Sequence, residues 1–423
     1  MSVYAQYEGI DSNITYRTEA FDLWHYFCTY STDSQIRCRV DLSGFVDEAV
    51  LKLAITASLK TIPVIGCSFG GGSRRPRWVD KNFNGNDIVH VVKAGKDAEA
   101  DIVQCLSSRV NFASGPQLKL FVVRKQKDDT LCFVFSHMVC DAAGLKDYIY
   151  CVSQLYTQIK NEKPVIVPPF YPRGIDALFA DMTLKEKLKI SLSDYSGHKA
   201  PPQRGINLKV GNSVTAMEKR IISSEEFGEL KHFAKSKGAT MNDCLMALFA
   251  RSFCKNTDTD KIAFPATMDL RKYIPLDRKF GISNLSSSCV CSISVQPKDT
   301  LADTMIQVSN QMNAYKSDKN ILKTYLMWDL LTRIPWYILK NTYPKYVTRS
   351  SVSFTNTGIV DQQLLAFDGL DTTFVYITGP ILPRPHLQIS ASTFNERCTL
   401  ASNINGSEAD KVFIRKLMDD MHM

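Results

Sequence analysis

The sequence lacks the features that mark membrane and secreted proteins. It contains no uninterrupted run of the ~18 apolar residues that a membrane-spanning helix needs. Its first residues include no basic segment followed by an apolar stretch, so we expect no signal peptide. We therefore expect a cytoplasmic protein without a membrane span.

High charge density is also missing. The formal net charge of +8 is spread over 423 residues, which is too dilute for a protein that binds nucleic acid through its backbone phosphates. The one tight basic cluster, residues 74–77, is either a solvated loop or a contact for a phosphate-bearing ligand or an acidic partner. We expect no nucleic-acid partner.

The sequence has no Cys-x-x-Cys pair and no phosphate-binding loop. Its twelve cysteines are scattered, many of them within apolar runs, which favours small core residues in a reducing compartment over disulfides. The glycines at 70–72 are not followed by Gly-Lys-Ser/Thr. No group of His, Cys and acidic residues has metal-ligand spacing, so we predict no metal ion.

What is present is enough material for two domains. A single core rarely grows to 423 residues. Strand-like and helix-like segments alternate in both halves, which predicts an α/β sandwich (α+β) in each. Residues 166–204 are proline-rich at both ends and charged between them. The predicted division is an N-terminal lobe at 1–165, a crossover linker at 166–204 and a C-terminal lobe at 205–423.

One stretch combines a rigid scaffold with chemistry. Residues 131–135 are apolar or β-favouring and predict a buried strand, and His137 follows at its end. Apolar residues then recur at three- and four-residue spacing over 145–159, which predicts a helix with Asp141 as its N-cap. An imidazole and a carboxylate thus share one turn between two rigid elements, as a general base requires.

The bare pattern His-x-x-x-Asp is weak, because a histidine beside a core strand is often structural. Gly144 permits close backbone approach just beyond Asp141. A separate Asp269-Leu270-Arg271 supplies a guanidinium that can pair with Asp141. Cys140 lies inside the motif, but we predict a packing residue because no second base is placed to activate it.

The motif His137-x-x-x-Asp141-x-x-Gly144, followed by an amphipathic helix, resembles the active-site motif of the chloramphenicol-acetyltransferase-like superfamily. That superfamily includes condensation domains, alcohol acetyltransferases and plant acyl-CoA-dependent acyltransferases. Three more similarities follow in the same order over residues 15–410: a capped apolar helix start, an Asp-x-Arg element with the segment after it, and a Ser-Asn-x-Gly-like stretch. They lie at residues 239–243, 269–285 and 353–358.

The resemblance implies two lobes of similar fold with the active site at their interface. It implies that His137 acts as general base on a hydroxyl or amine acceptor that attacks a thioester. It also implies that Asp141 points away from His137 and pairs with Arg271, holding the turn together with Gly144. Candidates for the oxyanion or for substrate contacts are Asn356, Ser392, Ser353 and Asn284.

Departures from the superfamily patterns narrow the function. Ser136 stands where condensation domains have a first histidine, and Ala142 where they have glycine. The plant Asp-Phe-Gly-Trp-Gly element is missing. A stand-alone acyltransferase or condensation-like enzyme fits better, with no bound cofactor and a small-molecule acceptor. Its co-substrate would be acyl-CoA or a phosphopantetheinyl thioester on an acidic carrier protein, which suits the positive charge. A silent carrier-binding module is the third alternative.

Overall fold

The computed structural model describes residues 14–70, 75–195, 214–279, 281–342 and 351–423. Residues 196–204 of the predicted linker, and Arg74 of the basic cluster, lie outside these ranges. The described strands are β1 (Thr15–Tyr16), β2 (Gln35–Leu42), β3 (Cys67–Gly70), β4 (Arg77–Asp80), β5 (Val89–Lys93), β6 (Leu118–Arg124), β7 (Asp129–Ser136), β8 (Val214–Ile222), β9 (Lys261–Asp269), β10 (Ser286–Ser294), β11 (Val352–Val360), β12 (Thr372–Thr378), β13 (Leu382–Pro383), β14 (Leu387–Phe394) and β15 (Arg397–Gly406). The described α-helices are α1 (Ala20–Cys28), α2 (Glu48–Ser58), α3 (Gly85–Ile88), α4 (Ala98–Ser107), α5 (Ala142–Lys160), α6 (Leu184–Ser191), α7 (Ser224–Ser236), α8 (Met241–Thr257), α9 (Leu301–Ser317), α10 (Lys323–Leu331), α11 (Trp336–Thr342) and α12 (Glu408–Asp419).

Helix starts follow the capping signals of the sequence. At α8 the Thr240 hydroxyl accepts from the backbone N–H of Asp243, and the Asp243 carboxylate accepts from that of Thr240. At α5 the Asp141 carboxylate accepts from the backbone N–H of Gly144. The capped helix start expected at residues 239–243 and the predicted N-cap at Asp141 are therefore both confirmed.

Two larger sheets carry the fold. The five-stranded sheet has the order β12-β2-β7-β6-β5, with only β5 and β6 parallel. The seven-stranded sheet runs β10-β9-β11-β14-β15-β13, with β8 also paired to β15. A small sheet has the order β1-β4-β3. Helices pack against these sheets, so the predicted α/β class is confirmed.

Strand β12 joins the two halves of the chain. It lies in the C-terminal part of the sequence but pairs antiparallel with β2 in the five-stranded sheet. It also packs against β14 of the seven-stranded sheet, where the Ile377 N–H donates to the Ser392 hydroxyl at 3.2 Å. The two large sheets are thus linked beside the cavity described below. The lobe limits at 165 and 205 stay predictions.

The interior has two large apolar cores, one beside each of the two large sheets, and a third, smaller apolar cluster. Eleven of the twelve cysteines are buried in the structure, in agreement with their prediction as core residues. Within the described ranges, the helices are too short or too polar to cross a bilayer.

Candidate active site

A cavity of about 360 Å³ lies between the two large sheets. One side is formed by α1, β2, β12 and the turn from β7 to α5, and the other by β9, β10, β11 and β14. Its chemically relevant lining includes His25, His137, Lys146, Arg271, Asn356 and Gln388. The cavity therefore needs segments from nearly the whole described chain.

His137 opens onto this cavity. It follows β7 directly, and its backbone N–H donates to the Ser34 carbonyl at 2.9 Å. Its ring is half-buried and contributes to the cavity lining. The alternative of a histidine enclosed in a core is thereby excluded.

Asn284 sets the tautomer of the His137 ring. Its side-chain Nδ2 donates to the His137 carbonyl at 2.9 Å and to the Met138 carbonyl at 3.3 Å. Its Oδ1 therefore faces Nδ1 of His137, 3.2 Å away. An amide oxygen can only accept, so Nδ1 carries the hydrogen and the lone pair of the neutral ring is on Nε2. This tautomer allows Nε2 to act as a base.

A second histidine lies against the first. The rings of His25 and His137 are stacked with centroids 3.9 Å apart and an angle of 14° between their planes. His25 is on α1 and also lines the cavity. The stack limits rotation of the His137 ring, which adds to the restraint from Asn284.

Asp141 pairs with Arg271 and not with His137. Two parallel hydrogen bonds of 2.9 Å join the guanidinium to both carboxylate oxygens. The carboxylate also accepts from the backbone N–H groups of Gly144 at 2.9 Å and Leu285 at 2.8 Å. The Arg271 guanidinium also donates to Asp269 at 3.2 Å. The structure thus brings together the residues for which the sequence predicted an ion pair.

The electrostatics of the pair follow from burial and charge. Burial raises the pKa of the Asp141 carboxyl, but the Arg271 charge and the hydrogen bonds from Arg271, Gly144 and Leu285 outweigh it and hold that pKa below its ordinary value. Burial lowers the pKa of the Arg271 guanidinium, while Asp141 and Asp269 raise it above its ordinary value. Both groups stay charged at neutral pH.

A second buried ion pair holds the other side of the turn. Arg173, from the predicted linker, forms hydrogen bonds of 2.9 and 3.2 Å with the two carboxylate oxygens of Asp22 on α1. The same guanidinium donates to the Val139 carbonyl at 2.6 Å and to the Ile282 carbonyl at 2.9 Å. The histidine turn is therefore fixed from both sides by arginines distant in sequence.

Gly144 is required by space. A Cβ there would lie 2.8 Å from Cβ of Cys140 and 3.3 Å from the Ser283 carbonyl oxygen. Cys140 itself is fully buried, and burial and then the nearby Asp141 raise the pKa of its thiol well above the ordinary value. A buried, protonated thiol is a packing group, as predicted, and not a nucleophile.

The four candidate substrate contacts are placed differently. Asn356 lines the cavity; its Nδ2 donates to Asn242 at 3.0 Å and its Oδ1 accepts from the Gly358 N–H. Ser392 is buried and its hydroxyl accepts from Ile377, so it serves the contact between sheets and does not reach the cavity. Ser353 precedes the first cavity residue of β11 by two positions. Asn284 orients His137 and does not line the cavity.

Several lining residues were missed by sequence reasoning. His25, Lys146 and Gln388 are single residues without a local motif. Lys146 follows Asp141 by five positions on the same turn and helix, and burial lowers the pKa of its ammonium. That proximity was a usable signal, whereas His25 and Gln388 reach the cavity only through tertiary packing. Within the described ranges, no group of three or more His, Cys, Asp or Glu side chains could hold a metal ion.

Similarity to known proteins was found in comparisons of structure and not in comparisons of sequence. No protein-family model and no curated protein matches the chain. Among solved structures, the TRI3 trichothecene 15-O-acetyltransferase from Fusarium sporotrichioides is similar with a TM-score of 0.69 and 13% identity, covering 98% of this chain and 97% of that one. Polyketide synthase associated protein 5 from Mycobacterium tuberculosis has a TM-score of 0.67 and 12% identity, covering 98% of both chains.

A condensation domain is equally similar. The first condensation domain of the calcium-dependent antibiotic synthetase has a TM-score of 0.67 and 12% identity, covering 97% of both chains. These likenesses establish the fold and not the activity. The chain shares the fold of these proteins, which belong to the chloramphenicol-acetyltransferase-like superfamily, so the predicted fold class is confirmed.

Proposed function

We propose that the chain is an acyltransferase that moves an acyl group from a thioester to a hydroxyl or amine acceptor, with His137 as general base. The observation that carries the proposal is the cavity-facing His137 ring, whose Nδ1 lies 3.2 Å from the Asn284 carbonyl oxygen. A ring so fixed presents Nε2 as the acceptor of a proton. A neutral imidazole can accept a proton and then return it, which suits it to this task.

The reaction then proceeds in one ternary complex. Nε2 of His137 removes the proton from the acceptor as its oxygen or nitrogen forms a bond to the thioester carbonyl carbon. The tetrahedral oxyanion collapses, the C–S bond breaks, and the imidazolium returns its proton to the departing thiolate. No covalent bond to the enzyme forms, in keeping with Cys140 being buried.

Asn356 is our candidate donor to the oxyanion. Its Nδ2 donates one hydrogen to Asn242, and its Oδ1 is held by the Gly358 N–H, so the amide is fixed at the cavity wall. The Nδ2 group has a second hydrogen for an oxyanion. Backbone N–H groups at the cavity are the other available donors.

Two thioester donors fit this proposal. Acyl-CoA is one; an acyl group on the phosphopantetheine of an acidic carrier protein is the other, and the net charge of +8 favours it electrostatically. The solved relatives include both an acetyltransferase and condensation domains. A stand-alone condensation reaction would use the same proton transfers with both substrates on carriers.

The test measures thiol release from one acyl group offered both on coenzyme A and on a carrier protein. We expect His137→Ala to remain folded, with the thermal transition of the unaltered chain, and to lose at least ~100-fold in turnover. His232→Gln, a change of an exposed histidine on α7, is the matched control and keeps full turnover. A folded His137→Ala variant with full turnover would refute the base, and no thiol release from either donor would favour a silent module.

A further inference from the structure

One wall of the cavity is a polar sheet face. Register places Thr267 opposite Ser288 and Asp269 opposite Ser286, so these side chains share a face of β9 and β10. The pairing of Phe354 with Ala266 places Thr355 on that face, and the pairing of Ser353 with Gln388 adds the next strand. The cavity is lined on this side by Thr267, Ser286, Thr355 and Gln388.

The part of the chain that the structure describes does not use these four polar groups. Within the described residues, the hydroxyls of Thr267, Ser286 and Thr355 and the amide of Gln388 make no hydrogen bond with another side chain or with the backbone. Neighbouring hydroxyls on the same sheet are used: Thr357 donates to the Ala391 carbonyl at 3.0 Å. The four groups line the cavity, where solvent or a ligand can reach them.

The opposite wall carries four apolar side chains beside His25 and His137. They are Phe21 and Trp24 on α1, Ile36 on β2 and Ile377 on β12. The charged residues of the lining balance: Asp141 and Asp269 are joined to Arg271, and the Lys146 ammonium donates to the Ile359 carbonyl at 3.1 Å. The cavity thus has one side with several apolar groups, one side with hydrogen-bonding groups, and little net charge.

A ligand in the cavity displaces the water on the polar wall. An alkyl chain would leave the displaced hydroxyl and amide groups without partners, which penalises binding, whereas a polar ligand replaces each lost hydrogen bond. We propose that the acceptor is a neutral molecule with several hydroxyl groups, bound with those groups on the wall of Thr267, Ser286, Thr355 and Gln388. The assignment to the acceptor depends on the proposed function, but the binding preference does not.

Two probes of equal ring skeleton test the preference without turnover. Cyclohexanol and myo-inositol are each titrated into the full chain, and binding is followed by the NMR signals of the His137 imidazole. We expect myo-inositol to bind at least ~10-fold more tightly than cyclohexanol. The triple change Thr267→Val, Ser286→Ala and Thr355→Val conserves size, and we expect it to abolish or invert that ratio.

Thr215→Val, at an exposed position of β8 away from the cavity, is the control and keeps the wild-type ratio. Tighter binding of cyclohexanol, binding of neither probe, or a triple variant with an unchanged ratio would each overturn the inference. Thiol release separates the two proposals. If myo-inositol binds as expected but no thioester is cleaved, the acyltransferase proposal fails and the proposed polar binding site is supported. If a thioester is cleaved but cyclohexanol binds more tightly, the acyltransferase proposal is supported and the polar binding site is refuted.

Discussion

The ion pair between Asp141 and Arg271 allows a quantitative prediction about how the histidine turn is held. We consider Arg271→Met and Asp141→Asn, which remove one partner each. The Asp141 side chain is 5% exposed and the Arg271 side chain 14% exposed. Both changes disturb the contact, but the groups left behind differ.

The two substitutions differ in expected cost. In Arg271→Met the buried Asp141 carboxylate keeps two backbone N–H donors but has no other ion-pair partner within 4 Å in the described chain. Stranding a buried charge in this way costs ~3–5 kcal/mol. In Asp141→Asn the guanidinium keeps Asp269 at 3.2 Å, so we expect a smaller loss of ~1–3 kcal/mol.

These losses convert to measurable shifts in Tm. With about 2.1 cal/mol/K per residue, 423 residues unfolding as one unit have an unfolding entropy of roughly 0.9 kcal/mol/K. A loss of ~4 kcal/mol then lowers Tm by ~4–5 °C, and a loss of ~2 kcal/mol lowers it by ~2 °C. Thermal unfolding followed by circular dichroism can resolve this difference in Tm between the two variants.

Acid supplies a second readout for the same pair. Because the pKa of Asp141 is held below its ordinary value, the stabilisation from its charge is complete above about pH 4 and is lost as pH falls through the lowered pKa. Asp141→Asn has no such proton to bind. The Tm gap between the unaltered chain and Asp141→Asn should therefore narrow below pH 4.

Arg333→Met is the matched control for both readouts. Arg333 forms an exposed pair with Asp329, 2.9 Å away, with its side chain 71% exposed. Surface pairs contribute ~0–1 kcal/mol, so Tm should barely change. We propose that the turn depends on the buried Asp141 carboxylate and its ion pair with Arg271. An Arg271→Met variant as stable as Arg333→Met, or more stable than Asp141→Asn, would refute this.

Two further predictions concern the ring of His137. Asn284→Ala removes the acceptor that orients Nδ1, and we expect turnover to fall ~10–100-fold while folding, checked by circular dichroism, is retained. Full turnover in that variant would contradict the tautomer assignment. His25→Phe keeps a ring over His137 and should retain most turnover, whereas His25→Ala should lose several-fold in kcat more than in KM. Equal rates for the two His25 variants would show that stacking does not position the base.

Local patterns were enough to predict the elements that present the motif. The apolar spacing over 145–159 and the acid at 141 define α5, and its first turn forms as expected because Asp141 caps the Gly144 N–H. The capping box at Thr240 defines the start of α8 in the same way. Such signals depend on hydrogen bonds between residues a few positions apart, so the residue types that form them can be recognised in the sequence.

Positions that depend on tertiary contact were not predictable from those patterns. The Ser392 hydroxyl could contact an oxyanion, but in the structure it accepts a hydrogen bond from the backbone N–H of Ile377 on β12. Asn284 was expected at the substrate, yet its amide contacts the His137 main chain and ring. His25 has no local signal at all. Each outcome depends on which distant segment packs beside the residue, and local sequence patterns do not reveal such contacts.

The way the turn is supported suggests when the site forms during folding. Its contacts come from Ser34, Arg173, Arg271 and Asn284, and β2, which pairs with its supporting strand β7, is itself paired with β12 from the C-terminal part. Contacts between residues so distant in sequence must pay their loop-closure entropy before they stabilise anything, so they form late. The geometry of His137 therefore depends on both sheets being complete, and a change that loosens β12 should reduce turnover before it unfolds the N-terminal helices.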